Sequence, residues 1–154
     1  MGRMGRFDAD RLKEFKKELE RLDRNMDVFL ESCATELAAR LLRMVVKNTP
    51  VGDYQKGSGK KGGTLRRGWT GEKRMSAKNY AASLTVHHFG DRYVIEIINP
   101  VEYASYVEYG HRTPNHKGWV SGCFMMTISE RELENIAPKV LENKIKKYLG
   151  GCFK

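Results

Sequence analysis

The stretch DADRLKEFKKELERLDRNMDVFLESCATELAARLLRMVVKNTP (residues 8–50) decides the fold. Its apolar positions run Leu12, Phe15, Leu19, Leu22, Met26, Phe29, Cys33, Leu37, Leu41 and Met44, at spacings of three and four. Side chains at that spacing share one face of a helix, so the segment is predicted as one amphipathic helix. Up to Cys33 the alternation is a heptad seam. Beyond it a run of fours widens the stripe, as expected where Leu30, Ala38, Leu42 and Val45 turn toward a globular core. Asp8 or Asp10 can cap the start, and Asn48-Thr49-Pro50 stops the helix, because proline pushes the residue before it out of the α region. At ~1.5 Å per residue, about 38 residues reach roughly 57 Å, so part of the helix must leave the domain or break near Asp23 to Asp27. Its first half carries an apolar seam that needs a partner, either the same chain folded back or a neighbouring subunit. The expected division is therefore a helical arm over 1–34, offering Phe15, Leu19, Leu22, Met26 and Phe29 for assembly, and one α+β domain over 35–154.

Downstream, Leu65 to Thr70 is predicted as a first strand. Ser83 to Phe89 and Arg92 to Ile98 follow as a hairpin turning at Gly90-Asp91. Both faces of the last strand are largely apolar, which predicts a central position in a small antiparallel sheet of three to four strands. Asn99-Pro100 is expected to start a short helix that ends at Gly110 in a left-handed conformation, with Tyr103, Tyr106 and Val107 packed on the sheet. A polar loop, His111 to Gly118, leads to Trp119-Val120. The C-terminal helix is expected to open at the capping box Ser129-x-x-Glu132, with Pro138 kinking or restarting it.

The chain has 154 residues, 40% hydrophobic and 31% charged, enough for one modest core. No apolar run approaches the ~18 residues of a membrane helix. Met1 to Arg24 mixes both charge signs without an apolar stretch, so no signal peptide is expected. Three cysteines, Cys33, Cys123 and Cys152, cannot all pair within one chain and are read as reduced thiols, Cys33 as a core residue. The net charge of +9 is uneven: Lys47 to Lys78 alone holds nine basic residues against Asp53 and Glu72. A basic loop over 52–63, with Lys56, Lys60 and Lys61 and continued by Arg66, Arg67, Lys73 and Arg74, suits contact with DNA phosphates or an acidic protein. Gly57 and Gly62 have phosphate-loop spacing, but Gly63 stands where the lysine is required, so nucleotide binding is rejected.

The candidate catalytic residues do not assemble from sequence. His87 and His88 point to opposite faces of a strand and cannot share a metal. His111 and His116 sit in one loop beside Asn115, with no cysteine pair or acidic cluster near them to complete a metal site. Glu102 and Glu108 are six apart, off a common helix face. No cofactor and no metal is expected. A stand-alone basic nucleic-acid-binding protein is the alternative that the charge distribution keeps open.

Four blocks follow in order: Asn48-Thr49-Pro50-Val51; Gly63-Thr64-Leu65-Arg66 with Trp69; Asn99-Pro100-Val101-Glu102-Tyr103-Ala104-Ser105-Tyr106-Val107-Glu108-Tyr109-Gly110-His111-Arg112; and Gly118-Trp119-Val120 with Gly122 and Phe124-Met125-Met126. This set resembles the minor tail-component family of tailed bacteriophages, the head-tail connector or tail-completion proteins also found in prophages and phage-tail-like particles. The resemblance runs from about Thr35 to Leu149. It departs at the lysine-rich insertion between Gly52 and Gly63, and at Ser121 and Cys123, where the family often has proline and arginine. The resemblance implies a non-catalytic virion protein at the neck, assembled in the host cytoplasm. Its implied partners are further copies in a ring, taken as a hexamer, and neighbours such as the tail terminator, the head-side connector or the tail tube. The arm and the loop carrying His111, Arg112 and Trp119 are the candidate interfaces, and the basic loop would meet DNA or an acidic neighbour.

Overall fold

A computed structural model describes residues 9–152. Asp8, one of the two expected caps, lies outside the described residues, as does the side chain of Cys152. The order of elements is α1 (Ala9–Asn48), α2 (Thr64–Gly68), α3 (Ala77–Ser83), β1 (His87–Phe89), β2 (Arg92–Val94), α4 (Ala104–Tyr109), β3 (Gly110–Arg112), β4 (Trp119–Ser121) and α5 (Met125–Cys152). The class is α+β and mostly helical. α1 is one unbroken helix of 40 residues, so the break considered near Asp23 to Asp27 does not occur.

α1 packs against α3 and α5. The core gathers Ala38, Ala39, Leu42 and Val45 from α1, Leu65 and Trp69 from and just after α2, Ala81 from α3 and Met125 from α5. Leu42 and Val45 are fully enclosed, as the widened stripe in the second half of the helix requires. Cys33 is buried too, and burial pushes its thiol up, with Lys144 acting downward and Glu36 upward.

Several local expectations are corrected. Leu65 to Thr70 is not a strand: Leu65 and Trp69 lie four residues apart and both reach the core only if the segment is helical, and Gly63, at φ 91°, sets its start. Ser83 to Phe89 is mostly not strand either, because Ser76 caps α3 through its hydroxyl, which accepts from Asn79 N–H. Instead of one sheet there are two separate two-stranded ones. The hairpin at Gly90-Asp91 forms as expected, pairing His87 with Val94 and Phe89 with Arg92. Its second strand is not central. Tyr93, Ile95 and Ile97 turn inward and Val94, Glu96 and Ile98 face solvent, so the apolar outer face has no strand beside it.

Asn99 does not cap the middle helix, which starts at Ala104 with Tyr103 in the cap position. Asn99 Nδ2–H instead donates to Leu65 C=O at 2.7 Å, and its Oδ1 accepts from Val101 N–H. α5 opens at Met125, four residues before the expected box, and runs on through Pro138. Ser129 is thus inside the helix and fully buried, its hydroxyl donating to Met125 C=O and accepting from Asn48 Nδ2–H at 3.0 Å.

Candidate assembly surfaces

The blocks that carry the family resemblance converge on the end of α1. Thr49 is buried, and its hydroxyl donates to Val45 C=O while accepting from the indole Nε1–H of Trp69 at 2.7 Å. Met125 Sδ lies 3.4 Å from the same oxygen. The Thr49 carbonyl, orphaned by the end of the helix, accepts from Arg66 Nε and Nη2 at 3.2 and 2.7 Å. Arg66, expected among the anion-contact residues, is half-buried and directed at this carbonyl.

A second tie joins α4 to α5. Phe124, just before α5, offers no capping side chain, and the carboxylate of Glu108 takes that role from a distance. Its Oε2 accepts from Met126 N–H at 2.9 Å, and its Oε1 accepts from Thr127 N–H and the Thr127 hydroxyl at 3.0 and 2.7 Å. A negative group suits a helix N-terminus, which explains why a glutamate can be 94% hidden here. Sequence reasoning weighed Glu108 only as half of a catalytic pair. The available signal was a helix start lacking its own Ser, Thr, Asp or Asn.

Outside these ties lie three surfaces. The first is the free part of α1. Phe15 is 51% exposed and Leu19 46%, and Leu12 and Met26 are also exposed. α5 reaches back along α1 to Leu22, which is half-buried: Tyr148 O–H donates to Leu22 C=O at 3.0 Å, and the Tyr148 ring stacks on Phe29 at 4.3 Å. Of the five expected arm residues, Phe15, Leu19 and Met26 therefore form a seam open to water, while Leu22 and Phe29 lie partly beneath Tyr148.

The second surface is built on α4 and the β3–β4 hairpin. Gly110 has φ 86° and ψ 173°, so φ is positive as expected but the residue is extended rather than left-handed helical. A side chain there would strike Val120 O at 2.4 Å, so glycine is what lets the hairpin close against α4. The tyrosines do not pack on a sheet. Tyr106 is 59% exposed and Trp119 61%, and Tyr103, Tyr109 and Phe124 are exposed beside them in the chain. His111 lies tilted against Tyr106 at 5.7 Å, with its Nδ1 2.9 Å from the Arg112 carbonyl, and the Arg112 side chain is exposed. Phe124 holds φ 49°, uncommon for a bulky residue, fixed by its N–H donating to Glu108 C=O.

The third surface is basic. Lys56, Lys60, Lys61, Arg67, Lys73 and Arg74 are all exposed, the first three on a segment without helix or strand between α1 and α2. Lys60 stands 5.9 Å over the Tyr54 ring, and Arg67 reaches Gly62 C=O at 3.3 Å. Among the described residues no group of three or more His, Cys, Asp or Glu side chains converges as a metal site. His87 and His88 stack separately, on Phe89 and Tyr93. No helix among the described residues is long and apolar enough to cross a membrane.

Comparison with known proteins agrees with the resemblance drawn from the motif blocks. One family model, described as HK97-gp10-like, "Bacteriophage HK97-gp10, putative tail-component", matches residues 13–110. The match takes in most of α1, the Thr49 tie, both basic segments and α4, and stops at Gly110, before Trp119 and α5. No curated protein and no solved structure matches the chain. With well over half of its length matched, the chain belongs to the bacteriophage HK97-gp10-like tail-component family.

Proposed function

We propose that this tail component is a structural, non-catalytic subunit of the phage neck that completes the tail and joins it to the head by assembling into a ring. The observation that carries the reading is the pair of unlike apolar surfaces on separate elements, the Phe15–Leu19 seam of α1 and the Tyr106–Trp119 face of α4 and its hairpin. Contiguous exposed apolar surface of this kind marks an interface. Unlike surfaces on one subunit make head-to-tail contacts, which close into rings when the rotation between copies closes. In this reading residues 1–34 form the arm. His111, Arg112 and Trp119 present the hairpin face to the arm of the neighbouring copy. Lys56, Lys60, Lys61, Arg67, Lys73 and Arg74 lie toward the DNA path, making sequence-independent phosphate contacts.

The test is removal of the gene from a phage that carries it. DNA-filled heads and separate tails should accumulate, and purified protein added to the extract should join them. Joined, infectious particles without the protein would refute the neck role.

A further inference from the structure

Resting on the reading as a structural subunit, we infer that the free edge of β2 takes an added strand from a different virion protein. The two-residue turn at Gly90-Asp91 makes Phe89–Arg92 and His87–Val94 the hydrogen-bonded pairs of the hairpin. By the alternation of an antiparallel ladder, Tyr93 then turns its N–H and C=O away from β1. The ladder stops at Val94, yet the strand-like alternation continues, with Ile95 and Ile97 inward and Glu96 and Ile98 exposed. Among the described residues, 95–98 make no backbone hydrogen bond. An extended edge whose backbone donors and acceptors are unused is a template for another strand.

The surface beside that edge is apolar. A groove of about 530 Å³ is walled by Leu30, Ala34 and Leu37 of α1 and by Leu141 and Ile145 of α5, and Tyr93 of β2 lines its rim. The Tyr93 phenol donates to Asp27 of α1, whereas Leu84, Thr85 and Val86, which lead into β1, lie with Val28 and Thr35 on another side of that helix. β2 is thus the strand nearer the groove, and its free edge runs beside it. The lengths agree: Leu30 to Leu37 rises roughly 10 Å and Tyr93 to Ile97 roughly 13 Å, the span of about three to four extended residues.

Edge and groove together define the occupant as a single extended strand, bonded to β2 through its backbone, with alternate apolar side chains dropping between α1 and α5. Edge-to-edge pairing with a second copy would carry that copy's α1, which backs its hairpin, into the place that α5 occupies. The N-terminal stretch and the long connection after α1 do not supply the strand in trans. Residues 1–8 space Met1, Met4 and Phe7 by three, and residues 50–56 space Val51 and Tyr54 by three, so neither puts apolar side chains at alternate positions. The contact leaves the arm and the Tyr106–Trp119 face for the ring.

Hydrogen exchange read at single amides by mass spectrometry tests this on the full chain, free and inside purified particles. In the free protein the Tyr93, Ile95 and Ile97 amides should exchange close to unprotected rates at every concentration. In the particle each should slow by at least about 100-fold while Glu96 and Ile98 stay fast. Ile145→Lys, at an exposed position of the groove wall, should keep its helical circular dichroism and either be left out of particles or enter them with those three amides fast. Its entry with wild-type slowing would overturn the inference. Unchanged rates in particles that contain the protein would also overturn it and leave the structural role standing. Equal slowing from 93 to 98 would mean burial without strand pairing, and slowing in the concentrated free protein would make the occupant a second copy; either result overturns it. Particles without the protein would overturn the structural role itself, and the inference with it.

Discussion

Replacing Thr49 by valine tests the tie at the end of α1, because valine keeps the shape and removes only the hydroxyl. The indole N–H of Trp69 is a donor with no other role, and Trp69 is buried, so the change strands that donor away from water. An unsatisfied buried donor costs about 1–3 kcal/mol, and the Val45 carbonyl loses its side-chain donor as well. Taking about 2 kcal/mol and the ~2–4 °C per kcal/mol usual for domains of this size, the melting temperature should fall by roughly 4–8 °C. Trp69→Phe removes the other partner and adds a loss of buried area. The double variant has no stranded donor, so its loss should be smaller than the sum of the two by about 1 kcal/mol or more. Urea unfolding followed by circular dichroism measures all three. A Thr49→Val loss under about 0.5 kcal/mol, with strict additivity in the double variant, would refute the claim that the hydroxyl and the indole depend on each other.

Four further outcomes follow from the geometry. Glu108→Ala should cost about 1–3 kcal/mol in urea unfolding, since it uncaps α5 and strands Met126 and Thr127 N–H; an unchanged midpoint would deny the remote cap. The Tyr93 phenol donates to Asp27 at 2.6 Å, and this bond pushes its pKa up to about 12. Because the folded value is raised above the usual value of about 10, the bond's contribution is complete below pH ~10 and is lost as pH rises through ~12. In Asp27→Asn one tyrosine should titrate earlier by absorbance at 295 nm, and identical curves would deny the bond. Gly110→Val should destabilise by more than about 1 kcal/mol, because φ is positive and Val120 O lies where its Cβ would go; wild-type thermal stability would contradict this. Changing Lys56, Lys60, Lys61, Lys73 and Arg74 to glutamine should leave the melting temperature unchanged and flatten the salt dependence of DNA binding by about 0.9 log unit per lost phosphate contact. An unaltered slope would assign the cluster to solvent.

The long helix was legible because its signal repeats over about nine turns, from Leu12 to Met44, and because Asn48-Thr49-Pro50 punctuates its end. The Gly90-Asp91 hairpin was legible from its turn residues. Legibility failed where a segment is short and held by remote partners. Leu65 to Trp69 carries too few apolar positions for its period to show, and its helix depends on packing against the C-terminal half of α1 and on Thr49. The start of α5 depends on Glu108, seventeen residues upstream of Met125 and on another element, which no local capping pattern can reveal. Arg66 illustrates the same limit at a candidate site: its charge placed it with the basic loop, but only the fold brings the Thr49 carbonyl within its reach. The exposed seam at Phe15 and Leu19 was readable as a surplus of apolar side chains. The apolar groove between α1 and α5 was not, because its two walls come from opposite ends of the chain.

The central claim is a place in the particle, and gold-labelled antibody against this chain on intact phage, viewed by electron microscopy, tests it most directly. The account predicts label confined to the junction of head and tail. Label spread along the tail, or particles that carry none of the protein, would contradict it.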